Sequence, residues 1–308
     1  MTASQRTDQA AQLLCPAVCE AVQRMPERDK AAVQEIRLRA GQPLCVFCGQ
    51  CVGYLTAEGT VSAEPLTGMP VSARDVAESF QRLCGYSVHS HEEEIAQGFV
   101  AAQGGHRAGL GGVGVCRGGA VSGLRDITSI CLRVAREVPG AADELLARAG
   151  VAGGLLVAGA PGSGKTTLLR DLARQLSCRG TKVVVVDERY ELSALWNGQV
   201  QNDLGPSCDV LAGVEKAAAM MMALRCLSPQ VLVCDELGSM GEIAALGACL
   251  DGGVTVVSSI HAGSWQELAR RPQFGPLRAS GAFGQAALLC GPERPCGLRE
   301  VRPLAQVT

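Results

Sequence analysis

The stretch LLVAGAPGSGKTTLLRDLARQLSC, Leu155–Cys178, decides the fold. An apolar run ends in a glycine-rich turn, and the turn opens directly into a segment with leucines at helical spacing. Gly159 to Thr166 fit G-x4-G-K-[ST] in full, and strand, loop and helix in succession are the setting in which that pattern holds phosphate. The glycines let backbone N–H groups approach phosphate oxygens, and the helix N-terminus favours their negative charge. The candidate nucleotide contacts are Gly159, Ala160, Pro161, Gly162, Ser163, Gly164, Lys165, Thr166 and Thr167. Lys165 is expected to reach the β and γ phosphates, and Thr166 to offer its hydroxyl to Mg2+. The expected ligands are therefore ATP and Mg2+.

Working outward, strands at 182–187, 231–235 and 253–260 alternate with helices at 212–227 and 240–251. The strands are continuous apolar runs, the mark of a mostly parallel sheet covered on both faces. The tail FGQAALLCGPERPCGLREVRPL, 283–304, reads as a closing hairpin around a Gly-Pro turn. Upstream, residues 8–24 carry apolar side chains at helical spacing and stop before Pro26. VQEIRLRAGQPLCVFCGQCVGYL, 33–55, alternates like paired strands. SARDVAESFQRLCG, 72–85, has a serine cap and a closing glycine. The expected architecture is α/β: a RecA-like P-loop ATPase domain at 146–308, preceded by a smaller α+β domain at 1–145. GLGGVG, Gly109–Gly114, imitates the dinucleotide fingerprint, but no helix can follow it in VCRGGAVSG; it reads as closely packed glycine-rich strands.

Two apolar runs end in Asp-Glu: VVVVDERYELS at 183–193 and VLVCDELG at 231–238. Phosphoryl transfer to water needs a carboxylate for the metal's water shell and another to polarise the attacking water. Asp235 and Glu236 fit those two tasks. Asp187, Glu188, Arg189 and Glu191 are expected to point at the γ-phosphate edge, on a strand that can lie beside the P-loop strand. Each cluster also reads as solvated charge at a strand end. His261 closes VTVVSSIHAG, where it can meet the γ-phosphate, orient Glu236, or cap the strand. Arg225 either senses phosphate or caps its own helix. Met220, Met221 and Met222 read as core filling.

The net charge of -2 and the 3% aromatic content argue against a nucleic-acid partner. No run of about 18 apolar residues is present to cross a bilayer. The N-terminus lacks the basic start and apolar core of a secretory signal. Most of the 15 cysteines stand where Ala or Val would serve and read as small buried hydrophobes. Cys45, Cys48 and Cys51 have a spacing that can start a metal site, but in a segment that alternates like a strand.

P-loop, acidic cluster, Asp-Glu strand end and strand-end histidine, in that order, resemble the secretion ATPase superfamily of type II and type IV machines. By that resemblance the first Asp-Glu is an "Asp box", His261 belongs to a "His box", and the second Asp-Glu is the Walker B end. The blocks EIRLRAGQPL (35–44), EEEIAQGFVAAQGGHRAGLGG (92–112), DERYELS (187–193), LSPQVLVCDELG (227–238) and SSIHAG (258–263) are similar to the stage III sporulation protein AA family, over about residues 30–290. The resemblance implies an ATPase of the mother-cell cytoplasm. It further implies a closed ring, a hexamer, and peripheral attachment through membrane proteins of the sporulation channel. It makes Glu188 a second acid and His261 a phosphate sensor, and likens Arg107 and Arg133 to basic positions brought toward bound nucleotide. A nucleotide-dependent assembly scaffold with little turnover, and a general secretion or pilus motor, are the alternative readings.

Overall fold

The computed structural model describes residues 1–49, 51–117 and 120–307. The apolar runs of the second half form one seven-stranded sheet. Its order is Cys208–Ala212, Val183–Asp187, Val231–Cys234, Thr255–His261, Leu155–Gly159, Gln285–Leu289, Leu298–Pro303. Every neighbouring pair is parallel except the last, which is the expected closing hairpin. All residues of the strands Leu155–Gly159, Val183–Asp187 and Val231–Cys234 are buried, because helices cover both faces. Helix Lys165–Cys178 packs Leu168, Leu169 and Leu172 against Val157, Val185 and Val233. Helices Lys216–Cys226 and Met240–Asp251 pack Met220, Ala223 and Leu246 against the alternate residues Leu156, Val184 and Leu232. Each of these buried Leu, Val and Met side chains contributes about 1.5–3 kcal/mol by leaving water. This is the expected RecA-like P-loop fold.

The Asp187 strand does not lie beside the P-loop strand. Val231–Cys234 and Thr255–His261 stand between them. The 14-residue helix after the P-loop carries the chain past two strand positions that later segments fill. Cys208–Ala212 adds an edge strand inside a stretch that had no clear pattern; its residues are only partly buried, so no apolar run announces it. Met220 and Met221 face the core as expected, but Met222 is 45% exposed.

The first half forms a seven-stranded antiparallel sheet. Its order is Val61–Ser62, Cys51–Leu55, Cys45–Cys48, Glu35–Arg39, Ala120–Arg133, His106–Arg117, Phe99–Ala102. Helices Ala3–Ala11, Pro16–Gln23 and Ala73–Leu83 supply Ala10, Val18, Val22 and Val76 to its core, and Leu14 joins them from the turn between the first two. The single helix expected at 8–24 is two, because Pro16 starts a new one at its first position. GLGGVG lies within the strand His106–Arg117, and a Cβ on Gly111 would fall 2.3 Å from the Ser129 hydroxyl oxygen. Cys48 pairs directly with Cys51 across a hairpin, whereas Cys45 pairs with Tyr54. Three residues apart on one strand, Cys45 and Cys48 sit on opposite faces, and among the described residues no three or more Cys, His, Asp or Glu side chains gather as a metal site. The cysteines are less buried than expected: Cys15, Cys45, Cys84, Cys234 and Cys249 are buried, and Cys51, Cys116, Cys178 and Cys226 are exposed.

The chain divides into two compact units: Met1–Arg136 with Trp196–Gln201, and Glu137–Leu195 with residue 202 onward. The division precedes the 145/146 boundary read from sequence. Ala142 and Leu145 share a core with Leu168 and Leu172, and the Ala142 N–H donates to the Asp171 carboxylate at 2.9 Å. Among the described residues no helix is long and apolar enough to cross a membrane.

Candidate functional site

The P-loop is built from conformations that only glycine takes without strain. Gly162 and Gly164 have φ of 75° and 88°, and Gly164 caps the helix that begins at Lys165. A Cβ on Gly164 would meet the Cys296 backbone nitrogen at 2.7 Å, because the tail hairpin backs the loop. There the Cys296 N–H donates to the Ser163 carbonyl at 2.8 Å. Burial of the Cys296 thiol pushes its pKa up, which keeps it protonated and unreactive.

Lys165 is 7% exposed and donates to the carbonyls of Gly159 (2.9 Å) and Ala160 (3.2 Å). Its ammonium also lies 2.9 Å from His261 Nδ1. Burial pushes the Lys165 pKa below its ordinary value, against the pull of Glu236 and Asp235. An ammonium can only donate, so Nδ1 of the neutral imidazole accepts and the ring proton sits on Nε2. That atom is 3.0 Å from Glu236 Oε2. Lys165, His261 and Glu236 are thus one connected chain.

Thr166 Oγ1 donates to Asp235 Oδ2 at 3.1 Å, and Ser259 Oγ donates to Asp235 Oδ1 at 2.8 Å. A hydroxyl and a carboxylate converging at a P-loop are the hard oxygen donors that suit Mg2+, which keeps most of its waters and takes few protein ligands. A cleft of about 400 Å3 joins these groups: Gly162, Gly164, Lys165, Thr166, Thr167, Glu191, Asp235, Glu236, His261 and Pro295 line it.

The first Asp-Glu is placed otherwise than expected. Asp187 is 2% exposed, and its carboxylate accepts from the N–H groups of Glu191 (2.8 Å), Leu192 (3.1 Å) and Ser193 (2.7 Å) and from the Ser193 hydroxyl. It closes the loop that follows its strand. Arg170, on the P-loop helix, ties down the same loop through the carbonyls of Leu192 and Glu191. Glu188, Arg189 and Glu191 line a second cleft of about 400 Å3, with Lys216, Asp235, Glu236 and Glu242. Arg225 is exposed in the last turn of its helix and lines neither cleft.

Arg107 and Arg133 belong to the first unit, directly opposite one another across neighbouring strands. The Arg107 guanidinium stacks on Phe99 at 3.9 Å, and Arg133 pairs with Glu35 at 3.4 Å. Motif reading did not single out Lys216, Glu242, Ser259 or Pro295. Only Glu242 carries a local signal, as the acid of an S-x-x-E capping box.

Fold and site together define a P-loop protein of the secretion-ATPase architecture. The X-ray structure of the ATPase DotB of Legionella pneumophila superposes with a TM-score of 0.50 at 17% identity, over 83% of this chain and 72% of that one. The ADP-bound pilus retraction motor PilT superposes with a TM-score of 0.52 at 17% identity, over 85% and 76%. At such identity the likeness is one of fold. The model of the family "Sporulation stage III, protein AA" matches residues 4–302, and the chain belongs to that family. It is 37% identical over 285 residues to Stage III sporulation protein AA of Bacillus subtilis (strain 168), covering 90% of this chain and 88% of that protein.

Proposed function

We propose that this protein hydrolyses Mg-ATP and serves the sporulation channel between mother cell and forespore, energising assembly or transport there. The observation that carries the reading is the Glu236 carboxylate, beside the P-loop and oriented by the Nε2–H of His261 at 3.0 Å. A carboxylate so placed polarises an attacking water and takes up its proton. Lys165 now spends its donors on loop carbonyls and His261; turning toward phosphate frees His261 Nδ1 to follow. Thr166 and Asp235 would hold Mg2+, whose charge offsets that developing on the phosphate oxygens. Glu188 faces the adjoining cleft as a second acid.

Kinship to the sporulation protein supports the cellular setting: the mother-cell cytoplasm, with attachment through membrane proteins of the channel complex; the net charge of -2 and the 3% aromatic content speak against a nucleic-acid partner. The fold shared with secretion motors supports a closed ring, a hexamer, with nucleotide at subunit junctions. Arg107 and Arg133 are the residues we assign to stabilising charge across such a junction.

The test is Mg-dependent phosphate release by the purified protein beside Lys165→Ala and Glu236→Gln, with particle mass measured by light scattering in the same ATP buffer. Turnover lost in both variants, from a ring-sized particle, supports the reading. Nucleotide-driven assembly without phosphate release would replace it with a scaffold.

A further inference from the structure

Lys216 opens an 11-residue helix, and its side chain is only 10% exposed. A lysine at a helix N-terminus opposes the helix dipole, and a buried ammonium costs several kcal/mol unless it is paired. Helix formation therefore gives no reason for it. The Glu215 carboxylate already caps this helix, accepting from the N–H groups of Ala217 and Ala218. What Lys216 holds is the backbone at Glu236: its Nζ donates to the Glu236 carbonyl oxygen and lies 3.5 Å from Glu242 Oε1.

The other side of the same peptide unit is also fixed. The Leu237 N–H donates to the Ser259 carbonyl at 3.1 Å, and Leu237 is 2% exposed in the core. Glu242, itself 10% exposed, accepts from the N–H groups of Gly238 (2.6 Å) and Ser239 (3.1 Å) through Oε2. Carbonyl and amide of the peptide after Glu236 are thus pinned in opposite directions. That sets the plane of the peptide and with it the direction of the Glu236 Cα–Cβ bond. Glu242 links the ammonium to the turn that follows, so the pair clamps the whole irregular segment between Cys234 and the helix at Met240.

We propose that Lys216, with Glu242 as its counter-ion, is a positioning residue that aims the Glu236 carboxylate. The inference rests on Glu236 being the carboxylate that polarises water. Lys216 does not line the cleft that holds Lys165 and Thr166. An uncharged side chain of equal length fills the same space but leaves the Glu236 peptide held only through the Leu237 N–H, and a misplacement of about 1 Å at a reacting group costs on the order of 100-fold in rate.

The experiment compares wild type, Glu236→Gln, Lys216→Met, Lys216→Arg and Glu242→Gln in the full chain. It reads phosphate release for kcat and KM, and binding of a fluorescent ATP analogue. Lys216→Met is expected to lower kcat about 10- to 100-fold while KM and nucleotide affinity stay within about twofold. Lys216→Arg, which keeps donors for both partners, should recover most of the loss. Glu242→Gln keeps the turn's acceptor but removes the counter-ion, and should lower kcat by a smaller factor in the same way. Unchanged kcat in Lys216→Met, or in Glu242→Gln if Lys216→Met does not fold, overturns the positioning role while leaving Glu236 in place. So does a loss of nucleotide binding in step with kcat, which marks a merely structural part. A wild type without turnover, or a Glu236→Gln variant as fast as wild type, fails the reading of Glu236 and takes the inference with it.

Discussion

Asp187-Glu188 and Asp235-Glu236 end strands that are neighbours in one sheet, each after four apolar residues, yet their aspartates do opposite things. The chain after Asp187 folds back so that three N–H groups and a hydroxyl converge on the carboxylate, which is spent on closing its own loop. The chain after Asp235 is drawn away, through Leu237 to Ser259 and through Lys216 to Glu242. Its carboxylate takes one local N–H, that of Glu236 at 2.9 Å, and is otherwise left for Thr166 and Ser259 at the P-loop edge. What separates a metal-side aspartate from a loop latch is therefore the path of the next five residues and the strand position, not the Asp-Glu pair itself.

The largest effect expected from this contrast is on turnover. Glu236→Gln removes the carboxylate that takes the proton and should lower kcat by about 100- to 10,000-fold, with nucleotide binding retained. Next comes stability. Asp187→Ala leaves buried N–H groups without an acceptor and should cost about 2–4 kcal/mol in urea unfolding, whereas Asp235→Ala should cost about 1 kcal/mol or less and abolish Mg-dependent turnover instead. Equal destabilisation by the two substitutions would break the comparison. His261→Ala, which frees Glu236 without removing it, should slow phosphate release by about tenfold. Glu188→Gln should have the smallest consequence, about two- to fivefold in kcat, because its carboxylate lines the adjoining cleft rather than the one that holds Lys165 and Thr166.

The P-loop was legible because its chemistry is contiguous: strand, glycines, Lys165 and Thr166 follow one another, and local geometry decides them. Buried parallel strands announced themselves as apolar runs for the same reason. Strand order did not, since parallel neighbours are chosen by contacts distant in sequence; thus Val183–Asp187, which by sequence can lie beside Leu155–Gly159, is separated from it by two strands. Cys45, Cys48 and Cys51 look like a ligand set until the hairpin puts Cys45 on the opposite face. Lys216 is hidden most deeply. Nothing near it in sequence points to Glu236, 20 residues on, and only the packing of two helices on one sheet face brings its ammonium to that carbonyl. Pro16, by contrast, is a local signal: it opens a second helix within 8–24, where its missing N–H is tolerated.

The most direct test of the central claim is Mg-dependent phosphate release by wild type, Glu236→Gln and Glu188→Gln side by side, at saturating ATP. The account predicts that turnover collapses in Glu236→Gln and persists within about fivefold in Glu188→Gln. Collapse in Glu188→Gln with turnover intact in Glu236→Gln would assign the chemistry to the other strand end and contradict it.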